Sequence, residues 1–101
     1  MPIDIIKISD SKFALQGRLE SDAVIKLAEL IKTHTKMKFN LVIDCVKLGH
    51  CDSAGIAVLV NWQKSAKLND GKLTFINLNS QIQQLIRLMG LEAIFGDGDH
   101  G

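Results

Sequence analysis

Cysteine is scarce in this chain: its 101 residues include two, Cys45 and Cys51, too few for the disulfide framework that staples small secreted domains. A strand followed by a loop is expected to separate them, and a reducing compartment fits that usage. Long apolar runs are missing too. The N-terminus, MPIDIIKISD, lacks a basic stretch leading into a hydrophobic segment, and no run approaches the length of a membrane span. A cytoplasmic location is the expectation. Neither sign of charge dominates, since twelve basic residues are scattered among eleven acidic ones for a net +1, so no electrostatic footprint for nucleic acid or anionic lipid stands out. Nucleic acid is not an expected partner. P-loop and GxGxxG patterns are absent, which removes the usual phosphate cradles, and there is no internal repeat or low-complexity linker.

What is present closes a core. At 47% hydrophobic and 23% charged, with a mean hydropathy of +0.15, the composition is globular, and 101 residues suit one domain. Ile3, Ile5, Ile6 and Ile8 roughly alternate with polar residues, and Phe13, Ala14 and Leu15 follow a Ser-Asp-Ser turn, which reads as a β-hairpin that Gly17 and Arg18 interrupt. Val24, Leu27, Ala28 and Ile31 have the spacing of one helical face, so a first helix is placed from about Ser21 to Thr35. FNLVIDC, from Phe39 to Cys45, reads as a strand buried on both faces, followed by a loop from Val46 to Asp52. A second helix starts at Ser53 and stops at Asn69-Asp70-Gly71. KLTFIN, Lys72 to Asn77, is another strand, and Ile82, Leu85, Ile86 and Met89 mark a third helix ended by Gly90. A short element from Leu91 to Phe95 can follow. The order is ββαβαβα, an α/β fold with a mixed central sheet and right-handed crossovers. The domain is placed at 1–95, with 96–101, rich in Gly and Asp, as a frayed tail and not a calcium loop.

Candidate chemistry is sparse. His34, His50 and His100 fall at a helix end, in a loop and in the tail, with no spacing that suggests a catalytic relay. Cys45, His50, Cys51 and Asp52 are residue types that bind zinc, yet the short CxxC pairing is lacking; Cys45 is expected in the core, and neither metal nor cofactor is expected. The informative stretch is CDSAGIAVLV, which places an acid, a hydroxyl and a glycine at a strand-to-helix junction. One reading is structural: Asp52 or Ser53 caps the helix and Gly55 allows close packing. The other is functional: Ser53 is presented to a kinase-like partner, and a phosphate there would turn a neutral docking surface negative. The helix after Ser53 is apolar on every side over Ile56 to Val60, where an ordinary surface helix needs one stripe. Ala57, Val60 and Asn61, with Lys64, are therefore expected to be exposed for a protein partner; deeper burial and a homodimer are the alternatives.

The stretch LVIDCVKLGHCDSAGIAVLVNWQKSAKLNDGKLTFINLNSQIQQLIRLMGLEAIF resembles the STAS domain, the fold shared by anti-sigma factor antagonists, C-terminal regions of sulfate transporters and a subunit of bacterial phospholipid-transport ABC systems. The likeness rests on the strand with Asp44, on Asp52-Ser53-Ala54-Gly55 followed by Ile56, on Met89-Gly90-Leu91 with Phe95, and on Leu15, Gly17 and Leu19 as an L-x-G-x-L segment. Ala54 gives the D-S/T-A-G form associated with the Mla-type transporter subunit, whereas antagonists usually carry D-S-S-G. The MGLEAIF ending instead resembles the antagonists. The resemblance implies a non-catalytic domain that docks on a cytoplasmic ABC ATPase through Asp52 to Gly55, with Ser53 at the contact, and that reaches the inner membrane only through its partner. The alternative it implies is an antagonist that binds an anti-sigma factor kinase and is released by phosphorylation of Ser53. A small enzyme using His50, Cys51 and Asp52 is a third, minor reading.

Overall fold

The computed structural model describes residues 2–35 and 38–95; His100 and the expected tail lie outside them. Strands β1 (Asp4–Ser9) and β2 (Lys12–Leu19) form the expected antiparallel hairpin, with Ile6 opposite Ala14. One turn of 3-10 helix (Ser21–Ala23) leads into α1 (Val24–Thr35). Strand β3 (Asn40–Cys51) is followed by α2 (Ser53–Leu68), β4 (Lys72–Ile76), α3 (Ser80–Leu88) and a short α4 (Glu92–Phe95). The order is ββαβαβα with that extra terminal turn.

The sheet runs β1-β2-β3-β4, with β2, β3 and β4 mutually parallel. Because each crossover steps in the same direction along the sheet and is right-handed, successive helices fall on one face. The core confirms this: Ile5, Phe13, Leu15, Leu41, Ile43, Cys45, Leu73 and Phe75 of the strands pack with Leu27, Ile56, Leu59, Trp62, Ile82 and Phe95 of the helices. The alternating residues Ile6, Val42, Thr74 and Ile76 lie outside that cluster on the opposite face, partly exposed. The strand order never reverses, so the fold lacks the crevice where open α/β sheets usually hold a ligand.

Two strands are longer than their residue patterns suggest. β2 continues through Gly17, whose φ of +105° is open to glycine and whose Cβ, if present, would strike the Pro2 carbonyl. β3 continues through the segment expected to be a loop, because β2 still pairs with it at Gly17–Leu48 and Leu19–Cys51. Irregularities in register between Ala14 and Gln16 and between Gly17 and Leu19 each absorb one extra residue of β3. His50 and Cys51 are thus strand residues.

Two glutamines complete the hydrogen bonding where strand pairing ends. Gln63 is buried; its Nε2 donates to the Leu73 carbonyl (2.8 Å) and its Oε1 accepts from the Leu73 amide (2.9 Å), on the free edge of β4. Gln81 does the same for Cys51, accepting at 3.0 Å and donating at 2.7 Å, and so ties α3 to the end of β3. Each side-chain amide stands in for a missing neighbouring strand and leaves no buried backbone group unpaired there.

Candidate functional site: the corner at the start of α2

The parallel register that places Leu19 beside Cys51 brings the ends of β2 and β3 together. The two segments leaving those ends, Glu20–Ala23 and Asp52–Gly55, therefore meet at the C-terminal edge of the sheet. Asp52 is the residue that joins them. Its backbone is extended (φ −103°, ψ −179°) as an N-cap requires, and its Oδ1 accepts from the Gly55 amide at 2.9 Å. Its Oδ2 accepts from the Ser21 amide, also at 2.9 Å, across to the other segment. The Gly55 hydrogen bond is the largest influence on the carboxyl and holds it below the ordinary aspartate value; desolvation opposes it, and weaker contributions from the Ser21 and Ala54 amides and from His50 lower it further.

Gly55 lets the two segments touch. A Cβ at this position would overlap the Leu19 carbonyl oxygen and lie 2.8 Å from both Cys51 Sγ and Leu19 Cγ. The start of α2 therefore packs directly on the end of β2. Ser53, the first residue of α2, is exposed, and its hydroxyl forms no hydrogen bond among the described residues. Around it, Glu20 Oε2 accepts from Arg18 Nη2 at 3.3 Å and lies 2.8 Å from His50 Nδ1. Arg18 and His50 are exposed and Glu20 is partly buried, so the pairing contributes at most about 1 kcal/mol.

The capping role proposed for Asp52 and the close-packing role proposed for Gly55 both hold. Ala54 is partly buried beside them, and Ala57, Asn61 and Lys64 are exposed on α2. Val60 is not: it is 8% exposed and belongs to the core. Its expected place on the surface is corrected here, because α2 contacts β4, α1 and the 3-10 turn and so is covered on more sides than a flanking helix. Glu20 and Ser21 are neighbours of this corner that the sequence pattern does not indicate. Residues separated by about thirty positions converge here through strand register, which no local pattern reports. Cys45 and Cys51 are both buried, and burial, reinforced by Asp52 and Glu20, pushes the Cys51 thiol up to about 12. Among the described residues, no three of His, Cys, Asp and Glu converge as metal ligands, and no helix is long and apolar enough to cross a membrane.

The molecule is thus a mixed four-stranded sheet with helices on one face, and an exposed serine follows the capping Asp52 at a strand-to-helix corner. The chain belongs to the STAS domain family: residues 6–96 match the family described as Mlab, STAS domain. Three solved structures have the same fold at low identity. SpoIIAA, an anti-sigma factor antagonist, in its unphosphorylated form superposes with a TM-score of 0.74 at 14% identity, over 98% of this chain and 88% of that one. The phosphorylated form of SpoIIAA, a Bacillus cell fate determinant, gives 0.69 at 14% identity, over 98% and 91%. A sulfate transporter family protein from Wolinella succinogenes gives 0.71 at 11% identity, over 95% and 80%.

Proposed function

We propose that this chain is a non-catalytic docking subunit that binds the cytoplasmic ATPase of a Mla-type phospholipid-transport ABC system and reaches the inner membrane through it. The observation that carries the reading is the corner itself. Asp52 and Gly55 fix the start of α2 rigidly against β2, yet leave Ser53 exposed with an unengaged hydroxyl. Among the described residues no histidine or carboxylate is hydrogen-bonded to the Ser53 hydroxyl, so the arrangement favours recognition over chemistry. The contact surface comprises Asp52, Ser53 and Ala54, continued along α2 by Ala57, Asn61 and Lys64; Gly55, expected among the contact residues, is buried against β2 and shapes the corner from beneath. Ala54 and the Mlab description of the family favour the transporter branch.

The second reading is a partner-switching antagonist of an anti-sigma factor kinase. It is favoured by the same exposed Ser53 and by the likeness in fold to SpoIIAA, of which unphosphorylated and phosphorylated forms are known. In this reading a phosphate on Ser53 adds nearly two negative charges beside Asp52 and Glu20 and expels an acidic or apolar partner.

One experiment separates them. The tagged chain and its Ser53→Glu variant are used to capture partners from the source lysate, and the captured proteins are identified by mass. An ABC ATPase with its permease, recovered by the first and lost with the second, supports the subunit reading. Recovery of an anti-sigma kinase that adds one phosphate to Ser53, seen by intact mass, replaces it. Full ATPase recovery by Ser53→Glu refutes the proposed contact.

A further inference from the structure

Right-handed crossovers lay α1 and α2 side by side over the same face of the sheet, so the sides of both that turn away from the strands form one surface. On α2 that side carries Ser53, Ala54, Ala57 and Asn61, none of them buried. Between Ser53 and Gln63 the helix has no charged residue, and Lys64 is the first. On α1, Ile25 stands two residues before the fully buried Leu27, about 200° round the helix from it, and is 74% exposed. Ala28 is exposed one turn on, and with Val24 it lines the same cleft as Val58 of α2. Ile25 is therefore not an isolated surface isoleucine: Val24, Ala28 and Val58 make it continuous with the outer side of α2. Asp52 ties the two helix starts together, accepting from Gly55 on one side and from Ser21 on the other. Charge begins at the exposed Asp22, Lys26 and Glu29 on α1 and at Lys64 on α2.

The size of a protein contact says what covers Ile25. A standard interface takes about 800 Å² of each partner, a patch roughly 16 Å in radius, whereas packed helices lie about 8–10 Å apart. A protein seated on Ser53 and Ala57 therefore reaches the first two turns of α1 and covers Ile25 as well. Such interfaces have a centre depleted of charge inside a polar margin, which is the distribution found here. Ser53, Ala54 and Ala57 are small side chains with little area to remove from water, so they give a contact its fit and little of its affinity; a protruding isoleucine supplies what they lack. We propose that α1 contributes the second half of the docking surface: Ile25 enters an apolar pocket of the same protein partner that contacts Ser53, with Val24 and Ala28 beside it. The inference rests on the docking reading of Ser53 given above and adds to it the residue that anchors the partner.

The probe is the purified ATPase subunit of the source's Mla-type transporter, titrated calorimetrically with the full chain and with four variants of it. Ile25→Asp and Ala28→Glu change exposed positions, so both should keep the parent's melting temperature, and each is expected to weaken binding at least about tenfold. Ser53→Glu tests the corner independently. Ile8→Asp is the control: Ile8 is also an exposed isoleucine, at 57%, but it lies at the far end of the β1–β2 hairpin from Glu20 and should bind as the parent does. The inference is overturned, and the Ser53 reading left standing, if Ser53→Glu abolishes binding while Ile25→Asp and Ala28→Glu bind like the parent. It is also overturned if Ile8→Asp weakens binding as much as Ile25→Asp. Failure of the parent itself to bind the ATPase removes the docking reading and this extension with it. A second copy is the occupant instead if the parent sediments as a dimer that Ile25→Asp converts to a monomer without changing ATPase affinity.

Discussion

Replacing Gly55 by alanine pits two physical effects of opposite sign against each other. Gly55 sits in the first turn of α2, and alanine there gains at most about 1 kcal/mol from helix propensity. Against that, the new methyl would overlap the Leu19 carbonyl oxygen and stand 2.8 Å from both Cys51 Sγ and Leu19 Cγ. Two of those atoms are a backbone oxygen in a sheet and the sulfur of a fully buried side chain, so neither yields by a rotamer change. Overpacking of this kind typically costs about 1–3 kcal/mol, and rigid neighbours put Gly55→Ala at the upper end. The net loss is about 2 kcal/mol, which lowers the melting temperature of a domain this size by about 10 °C. The control is Gly49→Ala: its Cβ would meet nothing closer than 3.5 Å, and its melting temperature should stay within a few degrees of the parent. Thermal unfolding followed by circular dichroism measures both. A Gly55→Ala protein as stable as the parent, or more stable, would show that propensity outweighs contact and that α2 does not rest on β2 as described.

The other predictions test burial and charge around the same corner. Val60→Asp places an unpaired carboxylate in the core and is expected to cost about 3 kcal/mol or more, whereas Ala57→Asp, one turn earlier on the exposed side, should leave the melting temperature nearly unchanged; equal stability of the two would contradict the burial of Val60. Asp52 and Asp44 are held below the ordinary aspartate value in the folded state, chiefly by hydrogen bonds from the Gly55 amide and the Asn77 side chain respectively. Their contribution is therefore fully present at neutral pH and is lost as pH falls through the depressed folded values. Asp52→Asn should flatten part of the acid limb in a plot of melting temperature against pH from 7 to 2, and an unchanged limb would remove Asp52 from it. With the Cys51 thiol pushed up to about 12 and both cysteines buried, a disulfide reagent at pH 8 should label neither in the native protein and both in denaturant.

The parts of this fold written in short-range pattern were readable. The hairpin, three helices and the order of elements along the chain follow from alternation, helical spacing and the stops at Asn69 to Gly71 and at Gly90. The capping of α2 by Asp52 follows from local grammar as well, since an N-cap needs only the residue and the three after it. What failed depended on neighbours distant in sequence. The stretch Val46 to Cys51 has Lys47, Gly49 and His50 in it and reads as a loop, but β2 supplies the pairing that keeps it a strand. Val60 reads as surplus hydrophobicity because the helical stripe is already filled; its burial comes from elements packed on either side of α2. The same holds for the meeting of Asp52 with Ser21 and for the exposure of Ala28, which periodicity alone assigns to the core.

The parallel register has a kinetic meaning as well. The bonds that lock this sheet and its corner span nearly equal stretches of chain: 31 residues from Ser21 to Asp52, 32 from Asn40 to Lys72, and 30 from Cys51 to Gln81. Each strand added after the hairpin thus requires a similar loop to close before its contacts form, and closing such a loop is an entropic toll with little local reward. β3 lies between β2 and β4, and it or the residue that directly follows it takes part in all three closures. Folding should accordingly wait on the first closure, the docking of β3 on the hairpin, after which β4 and α3 have a template edge to add to.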